Sequence, residues 1–245
     1  MPQWFGVRVE PTTAEKAQKT IEHFLSSDSG HQVVTLNPEM LLAARKNKEF
    51  AQTLQQADLI TYDGFGLVLM GGGEVKERLT GNDVLEMLFL LAQKNGSRIL
   101  LLGGEGDQAI RAAEKVHSRF SNLVIKGNPG GQIVKEADGW RMDNDVMEEV
   151  RSFAPSILAV ALGHEKQEMW IRDHLHHLPS VRVAVGIGGA LAFLADDIRR
   201  APSIMRKLGF EWLWRLVCEP RRIGRIFRAV VTFPILALSD KMKQL

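Results

Sequence analysis

Seven short and nearly continuous apolar runs recur through the first 190 residues, at 5–9, 32–36, 59–62, 98–102, 123–126, 157–162 and 181–185. A strand with one wet face alternates apolar and polar residues, whereas unbroken runs suit parallel strands covered on both sides. Helical patterns lie between them. Thr12-Thr13-Ala14-Glu15 has capping-box spacing ahead of Ala17, Ile21 and Phe24. Asn37-Pro38 sets a polar cap before a proline suited to a first helical turn. Residues 83–93 and 107–120 are also helix-like. This alternation predicts an α/β domain over residues 1–198, doubly wound, Rossmann-like, with a mostly parallel sheet.

Residues 199–245 differ. They are helical, aromatic and basic, with eleven basic residues against three acidic ones, a net +8. The preceding 198 residues carry 20 basic and 26 acidic residues, a net −6, so the overall +2 conceals two opposed halves. Ile223, Ile226, Phe227, Val230 and Val231 share one helical face, with Arg221, Arg222, Arg225 and Arg228 toward the other. This predicts a basic amphipathic appendage whose partner is anionic: nucleic acid, acidic lipid or a phosphorylated substrate. Core packing, or a contact between copies in a homo-oligomer, is the alternative use of Trp212, Trp214 and Ile226. The apolar run 229–238 contains Pro234 and is too short to span a bilayer. A single cysteine, Cys218, excludes an internal disulfide and a Cys-based metal cluster, which fits a reducing, cytoplasmic setting. The N-terminus does not read as a signal peptide.

Parallel strands all end on one side of a sheet, and there ligands bind. Here those ends carry Thr35 and Asn37, then Asp63 with Gly64 and Gly66, then Gly103 and Gly104, Gly163, and Gly186, Gly188 and Gly189. Glycine turns let backbone N–H groups approach a phosphate, or simply pack tightly. Neither LGGEG nor GIGG matches the dinucleotide fingerprint, which argues against a nicotinamide dehydrogenase. Asp63 reads as a helix cap, a metal ligand or a general base. Arg78 reads as a phosphate clamp or a surface charge. Asp143-Asn144-Asp145 has D-x-D spacing, but its place before a helix favours a cap or solvated loop. His174, His176 and His177 are expected to face solvent.

Taken in order, TLN (35–37), ADLITYDGFG (57–66), ERLTGND (77–83), LLGG (101–104), ALGHEKQEMW (161–170), GIGG (186–189), RRAP (199–202) and GFEWLWRLVCEPRR (209–222) resemble the WecG/TagA/CpsF glycosyltransferases. The resemblance covers about residues 5–230. It implies a metal-independent, inverting transfer of N-acetylmannosamine, its uronic acid or a related hexose from a UDP donor. The implied acceptor is a sugar on an undecaprenyl-diphosphate lipid, in cell-envelope or exopolysaccharide synthesis. No cofactor is implied. The implied location is cytoplasmic, peripheral at the inner face of the cell membrane, against anionic inner-leaflet lipids. On the resemblance, Asp63 is the base and Arg78 acts with it. Thr35 and Asn37 contact the sugar, and Gln167 belongs to the site. Glu10, Gly64, Gly103, Gly104, Gly188, Gly189, Arg215, Arg221 and Arg222 complete the substrate-binding set. Three positions depart from the family pattern: Ala192 and Glu10, where an aspartate is usual, and Glu165, where a proline is common. Asp196 or Asp197 is the candidate to replace the carboxylate at 192. The reading from a different class is a non-catalytic UDP-sugar-binding regulator of envelope synthesis. Nucleic-acid binding would leave the polar strand ends unexplained and is not expected.

Overall fold

The structure, a computed structural model, describes residues 3–8, 10, 12–71, 75, 77–136, 139–202, 204–205 and 210–242. Six parallel strands form the central sheet: β3 (His31–Leu36), β4 (Leu59–Tyr62), β5 (Ile99–Gly103), β6 (Ile125–Asn128), β9 (Ile157–Ala161) and β10 (Val183–Gly186). Their order is β4–β3–β10–β9–β5–β6. The expected doubly wound, Rossmann-like α/β fold is therefore present.

The unbroken apolar runs have the anticipated cause. Val33, Ile99, Leu101, Ile157, Ala159, Val183 and Val185 face one core, shared with α1 (Ala14–Leu25), α5 (Gly81–Asn95), α6 (Gln108–Arg119) and α9 (Ala190–Leu194). The residues between them face the opposite side. Val34 and Leu36 meet α2 (Pro38–Ala44) and α3 (Lys48–Gln56). Leu100, Leu102, Leu158, Val160 and Ala184 meet α7 (Asn144–Phe153) and α8 (Lys166–His174).

The caps follow local chemistry. Asn37 accepts from Met40 N at 3.0 Å and starts α2 ahead of Pro38. The cap of α1 is Thr13, one residue later than the capping-box spacing implied, because its hydroxyl accepts from Lys16 N at 3.2 Å. The reciprocal box forms at α5 instead, between Thr80 and Asp83. Gly96, in a left-handed conformation, ends that helix.

The first apolar run does not join the sheet. It folds back as a hairpin, β1 (Gln3–Trp4) with β2 (Val7–Arg8). Phe5 and Gly6 make the turn with φ of 51° and 84°, the double positive φ that two-residue hairpins favour. Val9, the last residue of that run, lies outside the described residues. A second hairpin, β7 (Ile133–Glu136) with β8 (Gly139–Met142), precedes α7. Asp143 leads from it into α7 and accepts from Gln132 N at 3.0 Å, a loop-closing role.

The C-terminal segment runs through α10 (Glu211–Cys218), a 3-10 turn (Pro220–Arg222), α11 (Ile223–Phe227), a π turn (Arg228–Thr232) and α12 (Phe233–Met242). It is anchored on the α/β body. Phe233 is fully buried, with its ring edge-on to Trp4 and Phe5 at centroid distances of 6.4 and 6.3 Å. Phe5 N donates to Asp240 Oδ2 at 3.0 Å. The outer side leaves Leu213, Val217, Ile223, Phe227, Ile235 and Leu238 exposed. Among the described residues, no helix is long and apolar enough to cross a membrane.

Phe233 therefore ties the two ends of the chain together. Phe233→Ala is expected to lower stability by about 3–5 kcal/mol, as large-to-small core changes do. Urea denaturation measures the loss, and limited proteolysis should show earlier cleavage within 210–242.

Candidate functional site

The carboxyl ends of the strands open into a cleft of about 950 Å³. Register explains its floor. Leu36 pairs with Tyr62, so the next residues, Asn37 and Asp63, leave the sheet side by side. Asp63 N donates to Leu36 O at 2.7 Å. Thr35 is buried, and its hydroxyl donates to Gly186 O at 3.0 Å, joining the ends of β3 and β10. Gly64 turns the chain into α4 (Phe65–Met70) with φ 132°, and a Cβ there would stand 2.9 Å from Pro38 Cδ. Only glycine suits both the angle and the gap.

Asp63 does not cap α4. Its Oδ2 receives one long bond, 3.4 Å, from Gly81 N at the start of α5. Its carboxyl sits deep in the cleft, and burial pushes its pKa up to about 6. Arg78 opposes that rise, while Glu211 and Asp83 add to it. Arg78 is not a free surface charge. Its guanidinium is paired with Glu211 of α10. Arg200 lies 3.9 Å from the other oxygen of Glu211 and bonds Asp83 at 2.9 Å. A chain of alternating charges thus runs from the capping box of α5 to the C-terminal segment.

Across the cleft, Gly188 N donates to Gln167 Oε1 at 3.1 Å, linking the turn after β10 to α8. Arg215 lies against Gly189, with its guanidinium 4.8 Å over the Phe193 ring and its Nε 2.9 Å from Glu219. Arg215 Nη2 is buried with no hydrogen-bond partner among the described residues. Arg225 forks onto Glu39, at 3.1 Å from Nε and 2.8 Å from Nη2, and reaches His164 Nδ1 at 3.4 Å. Burial favours the neutral form of Glu39, but the bonds and charge of Arg225 win and hold its carboxyl below the usual range. Burial, followed by the nearby arginines, outweighs Glu39 at His164 and lowers its pKa.

Thr35, Asn37, Asp63, Gly64, Gly104, Gln167, Gly188, Gly189 and Arg215 all line the cleft. Glu10 does not; it is exposed, 3.7 Å from Lys16. Gly103 ends β5 behind Gly104, outside the lining. Arg221 is exposed and outside the lining, in a turn that also contains the backbone of Arg222. The glycine turns are also less available to a phosphate than their composition implied. Gly104 N is bonded to Ala161 O at 2.9 Å, and Gly188 N to Gln167. Of the two candidates to replace a carboxylate at Ala192, Asp197 lines the cleft, held by Arg111 and Gln108. Asp196 is exposed and paired with Lys115. His174 is half-buried rather than solvent-facing, because its Nε2 lies 2.6 Å from Trp140 O.

Glu39, His164 and Arg225 are cleft residues that sequence reasoning missed. Glu39 reads as a first-turn acid of α2, and Arg225 as one more charge on an outer face. Their pairing joins positions 186 residues apart, a distance that no local pattern spans.

The cleft places a half-hidden carboxylate opposite arginines supplied by the C-terminal segment. That arrangement suits an enzyme acting on an anionic substrate. The chain belongs to the glycosyl transferase WecG/TagA/CpsF family, whose model matches residues 2–245. It is similar to the N-acetylglucosaminyldiphosphoundecaprenol N-acetyl-beta-D-mannosaminyltransferase of Bacillus subtilis (strain 168), at 31% identity over 209 residues, 84% of this chain and 78% of that protein. The like-named protein of Staphylococcus aureus (strain NCTC 8325 / PS 47) is 30% identical over 227 residues, 90% of this chain and 86% of its own.

The Asp63 environment has a consequence for folding. The unfolded carboxyl ionises near 3.8 and the folded one near about 6, so in that window the native state holds a proton that the unfolded state has lost. The stability contribution of Asp63 is present below 3.8 and is lost as pH rises through 6. Asp63→Asn escapes that loss. It is expected to match wild type near pH 4 and to exceed it by on the order of 2 kcal/mol at pH 7, measured by urea denaturation at both pH values.

Proposed function

We propose that this protein transfers a sugar, N-acetylmannosamine or a close relative, from a UDP donor to a sugar hydroxyl on an undecaprenyl-diphosphate lipid, inverting the anomeric carbon. The observation that carries the reading is Asp63: a carboxylate at a strand end, facing an open cleft, with one long hydrogen bond among the described residues to hold its charge. The relatives' names supply the acceptor and the sugar.

In this reading Asp63 takes the proton of the acceptor hydroxyl as its oxygen bonds to the anomeric carbon. The bond from that carbon to the UDP oxygen breaks, and UDP leaves with the electron pair. The proton stays on Asp63. A carboxylate with pKa about 6 is ionised at neutral pH and more basic than an ordinary aspartate. One displacement needs one base and one stabiliser for the leaving group, rather than two carboxylates. Arg215 fits the second role, since its buried Nη2, beside the Gly188–Gly189 turn, has no hydrogen-bond partner among the described residues. Arg78, engaged by Glu211, acts as a fixed positive charge tempering Asp63. No metal or other cofactor takes part.

The exposed apolar side of 210–242 lies on the inner membrane leaflet, where each nearby basic residue adds about 1 kcal/mol against anionic lipid. The site then meets its lipid acceptor at the surface that holds both. Residues 1–198 form the catalytic domain and 199–245 the appendage that closes it.

The decisive assay offers a panel of UDP-sugars and a lipid-diphosphate-GlcNAc acceptor, with EDTA present. Wild type is expected to turn over, and Asp63→Asn to lose about a hundredfold or more. UDP binding without turnover of any donor would favour the regulator reading, as would an apolar Ala192 that leaves nucleotide recognition incomplete. For the membrane face, replacing Leu213, Val217 and Phe227 by Glu is expected to abolish co-sedimentation with phosphatidylglycerol vesicles. The thermal midpoint should not change, since all three side chains are exposed.

A further inference from the structure

Beneath the cleft floor lies a second carboxyl that the transfer chemistry leaves unused. Glu168 is fully buried, at 0% exposure. Its Oε1 accepts from Gln167 Nε2 at 2.6 Å, and its Oε2 accepts from Glu165 N at 2.8 Å. A buried acid is costly even when bonded, and an apolar side chain of similar volume would fill the space more cheaply. What the acid adds is an orientation for Gln167. A side-chain amide fits either way round until its neighbours decide. Here both neighbours give the same answer. A carboxylate oxygen only accepts, so it faces the amide NH₂. Gly188 N–H only donates, so at 3.1 Å it faces the amide oxygen.

The packing is specific to this pair. A Cβ on Gly186 would stand 2.4 Å from Glu168 Oε1 and 2.5 Å from Gln167 Nε2. Glycine at the end of β10 lets the pair lie against the strand. Glu165, whose N–H the same carboxylate holds, has φ 72° and ψ −56°, a strained conformation for a residue with a side chain.

We propose that Glu168 is a positioning residue: it locks the Gln167 amide so that its remaining N–H is offered to a substrate oxygen in the cleft. The orientation stands on these contacts alone, while the identity of that oxygen rests on the sugar-transfer reading. Burial pushes Glu168 up to about 7, against the pull of the Gln167 bond. The charged group facing it is Glu165 on its own turn; β10 presents Gly186, which carries no charge, and Gln32 of β3, also uncharged, donates to the Glu168 backbone carbonyl. The lock is therefore strongest above pH 7, where the carboxyl is ionised and both oxygens accept.

The test uses the full chain carrying Glu168→Gln, Gln167→Ala or Gln167→Glu. Each is followed by hydrogen exchange at the Gly188 amide and by kcat and KM for transfer. Glu168→Gln and Gln167→Ala are expected to lose Gly188 protection, whereas Gln167→Glu keeps it: the two adjoining carboxyls share one proton, and the other oxygen of Glu at 167 still accepts from Gly188 N. All three are expected to lose about tenfold to a hundredfold in kcat/KM. The double variant Glu168→Gln/Gln167→Ala should be no worse than Gln167→Ala, since both remove one interaction. Glu168→Gln should also remove the ionisation near pH 7 from the pH–rate profile. Wild-type protection and kcat/KM in Glu168→Gln, beside an impaired Gln167→Ala, would overturn the positioning role. Full activity in Gln167→Glu would overturn the donor, and that comparison decides even if Glu168→Gln does not fold. If wild type turns over no UDP-sugar, the transfer reading fails, and the exchange measurements alone decide the role of Glu168.

Discussion

Parallel strand register is the constraint on which everything else in this protein rests. Strands that run the same way finish on the same edge, so each chain exit adds to one cleft. The pairing of Leu36 with Tyr62 sets Asn37 beside Asp63, and that of Val34 with Gly186 brings the Thr35 hydroxyl onto the end of β10. A slip of one residue would turn every side chain of a strand to the opposite core and would carry Asp63 out of the floor. The two-sided apolar packing that forbids such a slip therefore also positions the chemistry.

Burial at the strand ends then sets the electrostatics. Asp63 and Glu168 are both raised by desolvation, but their surroundings differ. Both oxygens of Glu168 are bonded within the protein, and it faces no solvent. Asp63 has one long bond and an open side. An under-bonded carboxylate retains lone pairs for an incoming proton; a saturated one holds neighbours in place. Two acids with similar perturbations are thereby distinguished by partner count rather than by pKa.

The sequence made the sheet legible because two-sided burial writes itself as unbroken apolar runs. Residues 5–9 show the limit of that signal: Val7 is buried as a sheet residue would be, but in a core shared with Phe233 and α3, far along the chain. The hairpin at 133–142 was missed because β7 is mostly exposed and its apolar content is thin. Thr35, Asn37, Asp63 and Gln167 could be found because local register and motif place them. The partnership of Arg78 with Glu211, and that of Arg225 with Glu39, could not, because each depends on how the C-terminal helices lie across the body.

That placement brings positive charge into the cleft. Among the described residues lining it, the α/β body supplies Glu39, Asp63, Glu105 and Asp197, and no lysine or arginine. Among the described residues, the lysine and arginine side chains in the lining are Arg215 and Arg225, both from the C-terminal segment. They offset part of the cleft's negative charge, to which the same segment adds Glu219, paired with Arg215. Glu39 is neutralised by Arg225, and Arg215 keeps a nitrogen beside the Gly188–Gly189 turn that has no partner among the described residues. The opposed charges of the two sequence halves thus have a structural meaning. On the proposed reading, the acidic body holds the base and the basic segment supplies the anion's counter-charge. The two are held together by Phe233, buried against the N-terminal hairpin, and by the ion pairs of Glu211 with Arg78 and of Arg225 with Glu39.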